Sequence, residues 1–309
     1  MAVAYYLAAK IGLGFAIVGD QVTPLWPATG AALAGLLLFG PRCWPGITAA
    51  AFLTNAALGP TFPAVVAISV GNTLAPVCAY FLLTRAGFHN DLRRLKDVVA
   101  LIFLGAFAGM LVSATIGAGT LAIAGAPGDF WTAWSVWWTG DAMGVLVVAP
   151  VFLVIATTQV NRVPLARWVE AAALLAGLAV VAVVVTRVSA NLLFLVFPML
   201  IWAALRFRQK GAAPSTLIVS IAAVVAAAAR QGPFDDVALL PTMITLQAFN
   251  GSAALTALLL AAITDERDEA QRSLQRAVTQ ISDAVATLEP YSLLRTGQLQ
   301  QVLHERDRP

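Results

Sequence analysis

Apolar runs long enough to cross a bilayer alternate with short breaks of charged residues, proline and glycine, and this alternation leaves few other folds open to the chain. About 20 apolar residues in helical conformation span the hydrocarbon core, at roughly 1.5 Å per residue. Ten runs read as candidate spans: 3–19, 25–40, 44–58, 64–84, 98–118, 131–157, 168–186, 191–206, 213–229 and 239–263. Hydrophobic residues make up 60% and charged residues 11%, against about 45–50% and about 25% in a soluble domain. A soluble globular enzyme is excluded. The expected fold is all-α, a polytopic transmembrane helical bundle of about ten spans over residues 1–263. No basic segment precedes the first run and Lys10 interrupts it, so it reads as a span, not as a cleaved signal peptide.

Basic residues set the expected orientation. One set of alternate loops carries Arg42, Arg85, Arg93, Arg94, Lys96, Arg162, Arg167, Arg206, Arg208 and Lys210, and the opposite set carries Arg187 and Arg230. The positive-inside rule then puts both termini in the cytoplasm and Asp20, Asp129, Asp235 and Asp236 outside. Residues 264–309 hold 6 Lys/Arg against 8 Asp/Glu and no basic cluster, which argues against nucleic acid as a partner. Two cysteines and two histidines are too few for a disulfide framework, a zinc site or a haem centre, so no metal and no cofactor is expected. Catalytic residues are expected to be none, because no nucleophile elbow, zinc-protease or phosphate-loop motif occurs. His89, in a basic loop, reads as solvated or facing headgroups.

Ionisable groups inside hydrocarbon are costly and mark sites or buried pairs. Lys10 and Asp141 both fall near the expected midplane, and pairing them would neutralise both. Asp141 then reads either as a ligand-binding or proton-sensing group, or as half of a static ion pair that fixes helix packing. Asn55, Asn72, Gln247 and Asn250 fall in the outer half or centre of their spans. They read either as the lining of a polar cavity around Asp141 or as ordinary interhelical hydrogen-bonding groups. Gly140 and Gly144 flank Asp141 at small-xxx-small spacing. Trp137 and Trp138 lie deeper than an interfacial belt requires, and Pro27, Pro150 and Pro198 are placed to break or kink spans.

Past Ile263 the composition turns polar, and apolar residues recur at Leu274, Val278, Ile281, Val285 and Leu288. These steps of four and three form the seam of a parallel two-stranded coil over residues 264–289, with an amphipathic helix on a surface as the alternative. Pro290 is expected to break the pattern, leaving a short segment 290–309 with its own helix near Ser292–Glu305. His304-Glu305 begins a string similar to the phospho-accepting motif of sensor kinases, but no helix follows it; a polar terminus is the simpler reading.

Three blocks occur in a telling order: Leu25-Trp26-Pro27-Ala28-Thr29-Gly30 with Trp44-Pro45-Gly46, then Trp137-Trp138-Thr139-Gly140-Asp141-Ala142-Met143-Gly144 leading to Pro150, then Phe197-Pro198 leading to Ala203-Ala204-Leu205-Arg206-Phe207. Over about residues 5–265 the chain resembles the bacterial membrane-associated sensor domain, MASE family, type one. The resemblance implies a signal-input module. Its positions carry over to Trp26, Pro27, Gly30, Trp138, Gly140, Asp141 and Gly144, with no individual role attached. It also implies a small-molecule ligand or other stimulus and a cytoplasmic output of the kinase, cyclase or phosphodiesterase class, while the two-stranded seam of the tail implies a homodimer. The 46 residues after Ile263 are too few to hold such an output, so it is expected on a separate protein or on a longer chain. The runner-up function is a secondary transporter or permease for a small solute, which would use the same midplane charges and proline-broken helices.

Overall fold

The computed structural model describes residues 1–14, 23–58, 61–125, 129–158, 164–188 and 192–306, without the side chains of 239–240 and 285–306. Asp20 and Arg162, the far end of the first expected span, and the side chains of Val285, Leu288 and His304 lie outside the described residues.

Among the described residues there is no strand, and ten helices carry the fold. They are α1 (Ala2–Leu13), α2 (Pro27–Phe39), α3 (Trp44–Ala56), α4 (Phe62–Arg85), α5 (Leu95–Ile123), α6 (Phe130–Thr157), α7 (Leu165–Arg187), α8 (Leu193–Phe207), α9 (Gln209–Ala228) and α10 (Leu239–Arg306). Six of these, α4, α5, α6, α7, α9 and α10, are long and apolar enough to cross a membrane. The chain is an all-α, multi-pass helical bundle. Contacts divide it into two units, Met1–Thr264 and Asp265–Pro309.

The helix α2 is short because it is central. Pro27, fixed at the first helical position, starts it with one fewer orphan backbone donor, and every residue from Pro27 to Leu36 is buried. Its run of Ala, Gly and Thr gives little bulk, so α1, α4 and α6 can close on it from several sides. Of the six long helices, α6 is the most enclosed, with 72% of its span buried, and α7 the least, with 28%. That contrast puts Asp141 in the interior of the bundle and leaves α7 at the periphery. Arg206 of α8 ties α7 in place through a two-pronged contact with Glu170, at 2.6 and 2.9 Å.

Two of the central helices depart from α geometry where they meet. Residues Leu101–Ala108 of α5 and Gly144–Val148 of α6 form π-helix, and the two segments touch each other. In α6 the wide turn ends immediately before Ala149-Pro150, so the missing proline N–H is absorbed by the bulge and the helix runs on. Pro198 stands in the first turn of the α-helical part of α8 and likewise breaks nothing. The two short proline-led helices differ in setting, since α2 is buried from Pro27 to Leu36 while Ile201, Trp202 and Leu205 of α8 are exposed.

Pro290 does not break the last helix. The α10 backbone stays helical through it to Arg306, so the expected separate helix near Ser292–Glu305 is part of one continuous element. A proline removes one ladder hydrogen bond and crowds the preceding turn, which bends a helix without having to end it. The helices α4 and α9 likewise pass through Pro76 and Pro214. In the second unit Leu274, Val278 and Ile281 are all exposed, on a helix laced by Arg276 and Arg272 to Glu269.

Candidate functional site

The site is organised around the Asp141 carboxyl, which is 2% exposed. Thr29 in the first turn of α2 donates its hydroxyl to Asp141 Oδ1 at 2.6 Å. Ser113 of α5 stands 2.5 Å from Oδ2. Both oxygens are thus engaged by hydroxyls from two different helices, and the Trp137 side chain closes the pocket from α6 itself. A buried polar group without partners costs about 1–3 kcal/mol, which explains why the acid sits where two hydroxyls converge.

Tyr5 of α1 adds a second polar atom. Its ring is fully buried, its hydroxyl has no hydrogen-bond partner, Trp26 and Asn72 face it, and Asp141 is near enough to act on it electrostatically. Asn72 is the α4 residue whose backbone carbonyl would have bonded the N–H of residue 76, and Pro76 has none to give. The pocket therefore gathers Tyr5, Trp26, Thr29, Asn72, Ser113, Trp137 and Asp141 from five helices or their caps.

Backbone contact holds the pocket shut on one side. A Cβ placed on Gly140 would stand 2.6 Å from the Thr23 carbonyl oxygen, and one on Gly144 would overlap the Trp26 carbonyl. A Cβ on Gly30 would overlap the Gly144 carbonyl in turn. Here the absence of a side chain is a packing requirement: α6 lies directly on the backbone of the segment Thr23–Gly30. The Trp26 N–H donates to the Gly140 carbonyl at 3.0 Å, one residue before Asp141. From the other side Gln247 of α10 donates its amide to the Pro24 carbonyl at 3.0 Å. The residues before Pro27 are thus clamped between α6 and α10.

Aromatic rings line the α5–α6 seam. Trp138 donates its indole N–H to the Phe107 carbonyl at 2.9 Å, inside the π segment of α5. Trp134 stacks on Trp138 with centroids 5.8 Å apart and donates to Thr115. Trp137 fills the space over Gly117.

Lys10 is not the partner of Asp141. It lies on the exposed face of α1, with its ammonium 5.5 Å from the centre of the Tyr6 ring. The buried face of α1 is formed by Tyr5, Ala8, Ala9 and Gly12, and Lys10 falls outside it by helical spacing. The expected amide cluster also divides. Asn72 belongs to the Asp141 pocket, Gln247 binds Pro24, and Asn250 is fully buried with neither amide atom partnered. Asn55 bonds the Ala51 carbonyl in its own helix and Ser69 of α4, an interhelical contact only. Tyr5, Thr29 and Ser113 are the site residues that sequence reasoning missed. Hydroxyls are frequent in apolar helices, and only the meeting of α2 and α5 at Asp141 singles these out. Among the described residues, no group of three or more His, Cys, Asp or Glu side chains comes together to hold a metal.

No curated protein and no solved structure matches the chain. The family comparison is positive and covers the whole first unit, including every residue of the Asp141 pocket: the MASE1 family model matches residues 1–268. The chain belongs to the MASE1 family of membrane sensor domains.

Proposed function

We propose that this chain is a signal-input module of a bacterial inner membrane, that it works as a homodimer with both termini in the cytoplasm, and that the Asp141 pocket is where its stimulus acts. MASE1 is a sensory and not a catalytic domain. The observation that carries the proposal is the pair of hydrogen bonds flanking the pocket: Trp26 to Gly140 on one side of the Thr23–Trp26 segment, Gln247 to Pro24 on the other. A change at Asp141 that moves α6 is felt by this segment, and through Gln247 by α10, the helix that leads into the second unit. A stimulus shifts such an equilibrium only by its differential affinity for the two states, and about 1–3 kcal/mol is the usual size of such a coupling. The exposed seam of Leu274, Val278 and Ile281, continued in sequence by Val285 and Leu288, is the surface on which two copies would pair. Changes in that pairing would reach a cytoplasmic kinase, cyclase or phosphodiesterase.

The test grafts residues 1–289 onto a soluble diguanylate cyclase and measures cyclic di-GMP in cells at equal membrane expression. Output is expected to shift on Asp141→Asn and on Gln247→Leu, which removes the donor to Pro24 while keeping the bulk, and on Ile281→Asp in the seam. Output unchanged by all three refutes the relay. The competing permease reading draws on the fully buried, unpartnered amide of Asn250 near the centre of the bundle. It predicts solute uptake into proteoliposomes that is lost on Asn250→Leu and on Asp141→Asn.

A further inference from the structure

We infer that Asp141 binds and releases a proton, and that Ser113 is the rotor that reports which state it is in. The inference deepens the sensory reading above by naming the stimulus class, and rests on it only for what happens beyond the pocket.

The argument is a count of protons. Ser113 Oγ lies 2.5 Å from Asp141 Oδ2 and 3.1 Å from the Met110 carbonyl oxygen of its own helix. Both are hydrogen-bond distances, but a hydroxyl has a single proton to donate and two lone pairs with which to accept. If the carboxyl is ionised, Ser113 gives its proton to Oδ2 and leaves Met110. If the carboxyl is protonated, its O–H donates to Ser113 Oγ and frees the serine proton for the Met110 carbonyl. Only the protonated acid satisfies both contacts at once. Thr29, whose hydroxyl has one partner here, donates to Oδ1 in either state and holds the carboxyl in orientation.

The charge balance agrees. None of the ion pairs among the described residues includes Asp141, and an uncompensated carboxylate in a low-dielectric interior costs several kcal/mol. The groups facing it are neutral hydroxyl, amide and indole side chains: Thr29 from α2, Ser113 from α5, Trp137 from α6, with Asn72 of α4 beside Tyr5. Tyr5 is the titratable neighbour that α1 supplies, Lys10 being turned away on the exposed face. The other helices against α6 bring no charge to this level: α2 and residues 239–264 of α10 hold no ionisable side chain, and the charges of α4, α5 and α9 are confined to Arg85, Lys96, Asp97 and Lys210 at helix ends. At 2% exposure the carboxyl is closed to a solute in this packing, whereas binding a proton needs no cavity beside it. The step itself is simple: the carboxylate takes one proton from water, a carboxylic acid forms, and no other bond is made or broken.

The test is infrared difference spectroscopy on the full chain in liposomes, titrated over about pH 4 to 9. The expected result is a carbonyl-stretch band of a protonated carboxyl that disappears as pH rises. It is absent in Asp141→Asn, which copies the neutral acid in shape, and moves in Ser113→Ala, where the acid has lost its acceptor. Absence of the band throughout, or its persistence in Asp141→Asn, overturns the inference, the latter by assigning it to another carboxyl such as buried Asp97. Should the variant fail to fold, the Ser113→Ala shift still decides, because only a carboxyl bonded to that serine responds to it. Exchanging choline for sodium at fixed pH must leave the band in place; its loss would make a metal cation the ligand and refute the proton. A band that titrates as expected while the cyclase reporter stays flat condemns the sensory reading and leaves the proton site standing. A responsive reporter without the band does the reverse.

Discussion

Gly140→Ala puts a single methyl where α6 meets the Thr23–Trp26 segment, and its consequence follows from the packing. The new Cβ would stand 2.6 Å from the Thr23 carbonyl oxygen, where ordinary contact begins at 3.4 Å, so the segment or α6 must retreat by about 0.8 Å. The obstacle is backbone, not the end of a flexible side chain, so no rotamer change relieves it. The same displacement stretches the Trp26-to-Gly140 hydrogen bond, 3.0 Å long, beyond useful length, while Gln247 on the other side of the segment keeps its hold on Pro24. Overpacking of this kind costs about 1–3 kcal/mol, and the lost bond contributes about 0.5–1.5 kcal/mol. Partial relaxation keeps the terms from adding fully, so a loss of about 2–4 kcal/mol is expected. Gly119→Ala is the matched control, because a Cβ there meets nothing within 4 Å. In a helix interior that exchange is worth about 0.5–1 kcal/mol in favour of alanine. Reversible unfolding in mixed micelles, followed by tryptophan fluorescence, measures both variants. If Gly140→Ala is no more destabilising than Gly119→Ala, the backbone clamp is not tight and the relay built on it falls.

Three further outcomes follow from the same geometry. Trp138→Phe keeps the ring against Phe107 and Trp134 and removes the N–H that serves the Phe107 carbonyl; it should cost about 0.6–1.7 kcal/mol in the same unfolding assay, and a smaller effect would mean water replaces the indole. A double-mutant cycle between Lys10→Met and Asp141→Asn should give a coupling within about 0.5 kcal/mol of zero, since Lys10 faces away from the acid; a coupling several times larger would restore the ion pair. Ile281→Cys, on an exposed seam position, should cross-link two copies in native membranes with much higher yield than Thr279→Cys one step off the seam; equal yields would count against a paired helix.

What was legible beforehand divides along physical lines. Helices of an apolar chain announce themselves because each must satisfy its own backbone within the bilayer, and the ten expected runs correspond to ten helices among the described residues. The seed of the site was equally visible, since a carboxyl flanked by Gly140 and Gly144 in the most enclosed helix is an exception to the composition around it. Its partners were not visible. Opposite charge is the one pairing rule that can be applied to residues far apart in sequence, and it led to Lys10. Yet Lys10 sits one helical step outside the buried face defined by Tyr5, Ala8, Ala9 and Gly12, a fact carried by side-chain direction and not by depth in the membrane. Thr29 and Ser113 are 112 and 28 residues from Asp141, and nothing in either local sequence sets it apart from Thr54, Thr84 or Thr216, whose hydroxyls bond only the preceding turn. Pro290, expected to break its helix, was overread for a related reason, whereas Pro150 adjoins the π segment of α6. A proline forbids one hydrogen bond, and whether the helix stops depends on whether a π turn or a bend can take up the loss.

The glycines explain why the pocket lies where it does. An acid could be buried against hydroxyls anywhere in a bundle, but here it stands one residue from the place where α6 rests directly on the backbone of another segment. At such a contact no side chain lies between the two chains to absorb a shift, so a movement of a few tenths of an ångström at residue 140 is passed on undiminished to Trp26. Pro27 then prevents the segment from responding by winding into α2 in a new register, because the proline ring fixes where that helix begins. The remaining compliance is on the α10 side, where the link is one amide on a flexible side chain, Gln247. A glycine contact that transmits and a glutamine contact that yields make the direction of coupling asymmetric in stiffness. Substitutions at Gly140 should therefore disturb both stability and signalling, while substitutions at Gln247 should disturb signalling with little effect on stability. Measuring both quantities for both residues separates a relay from a mere packing contact.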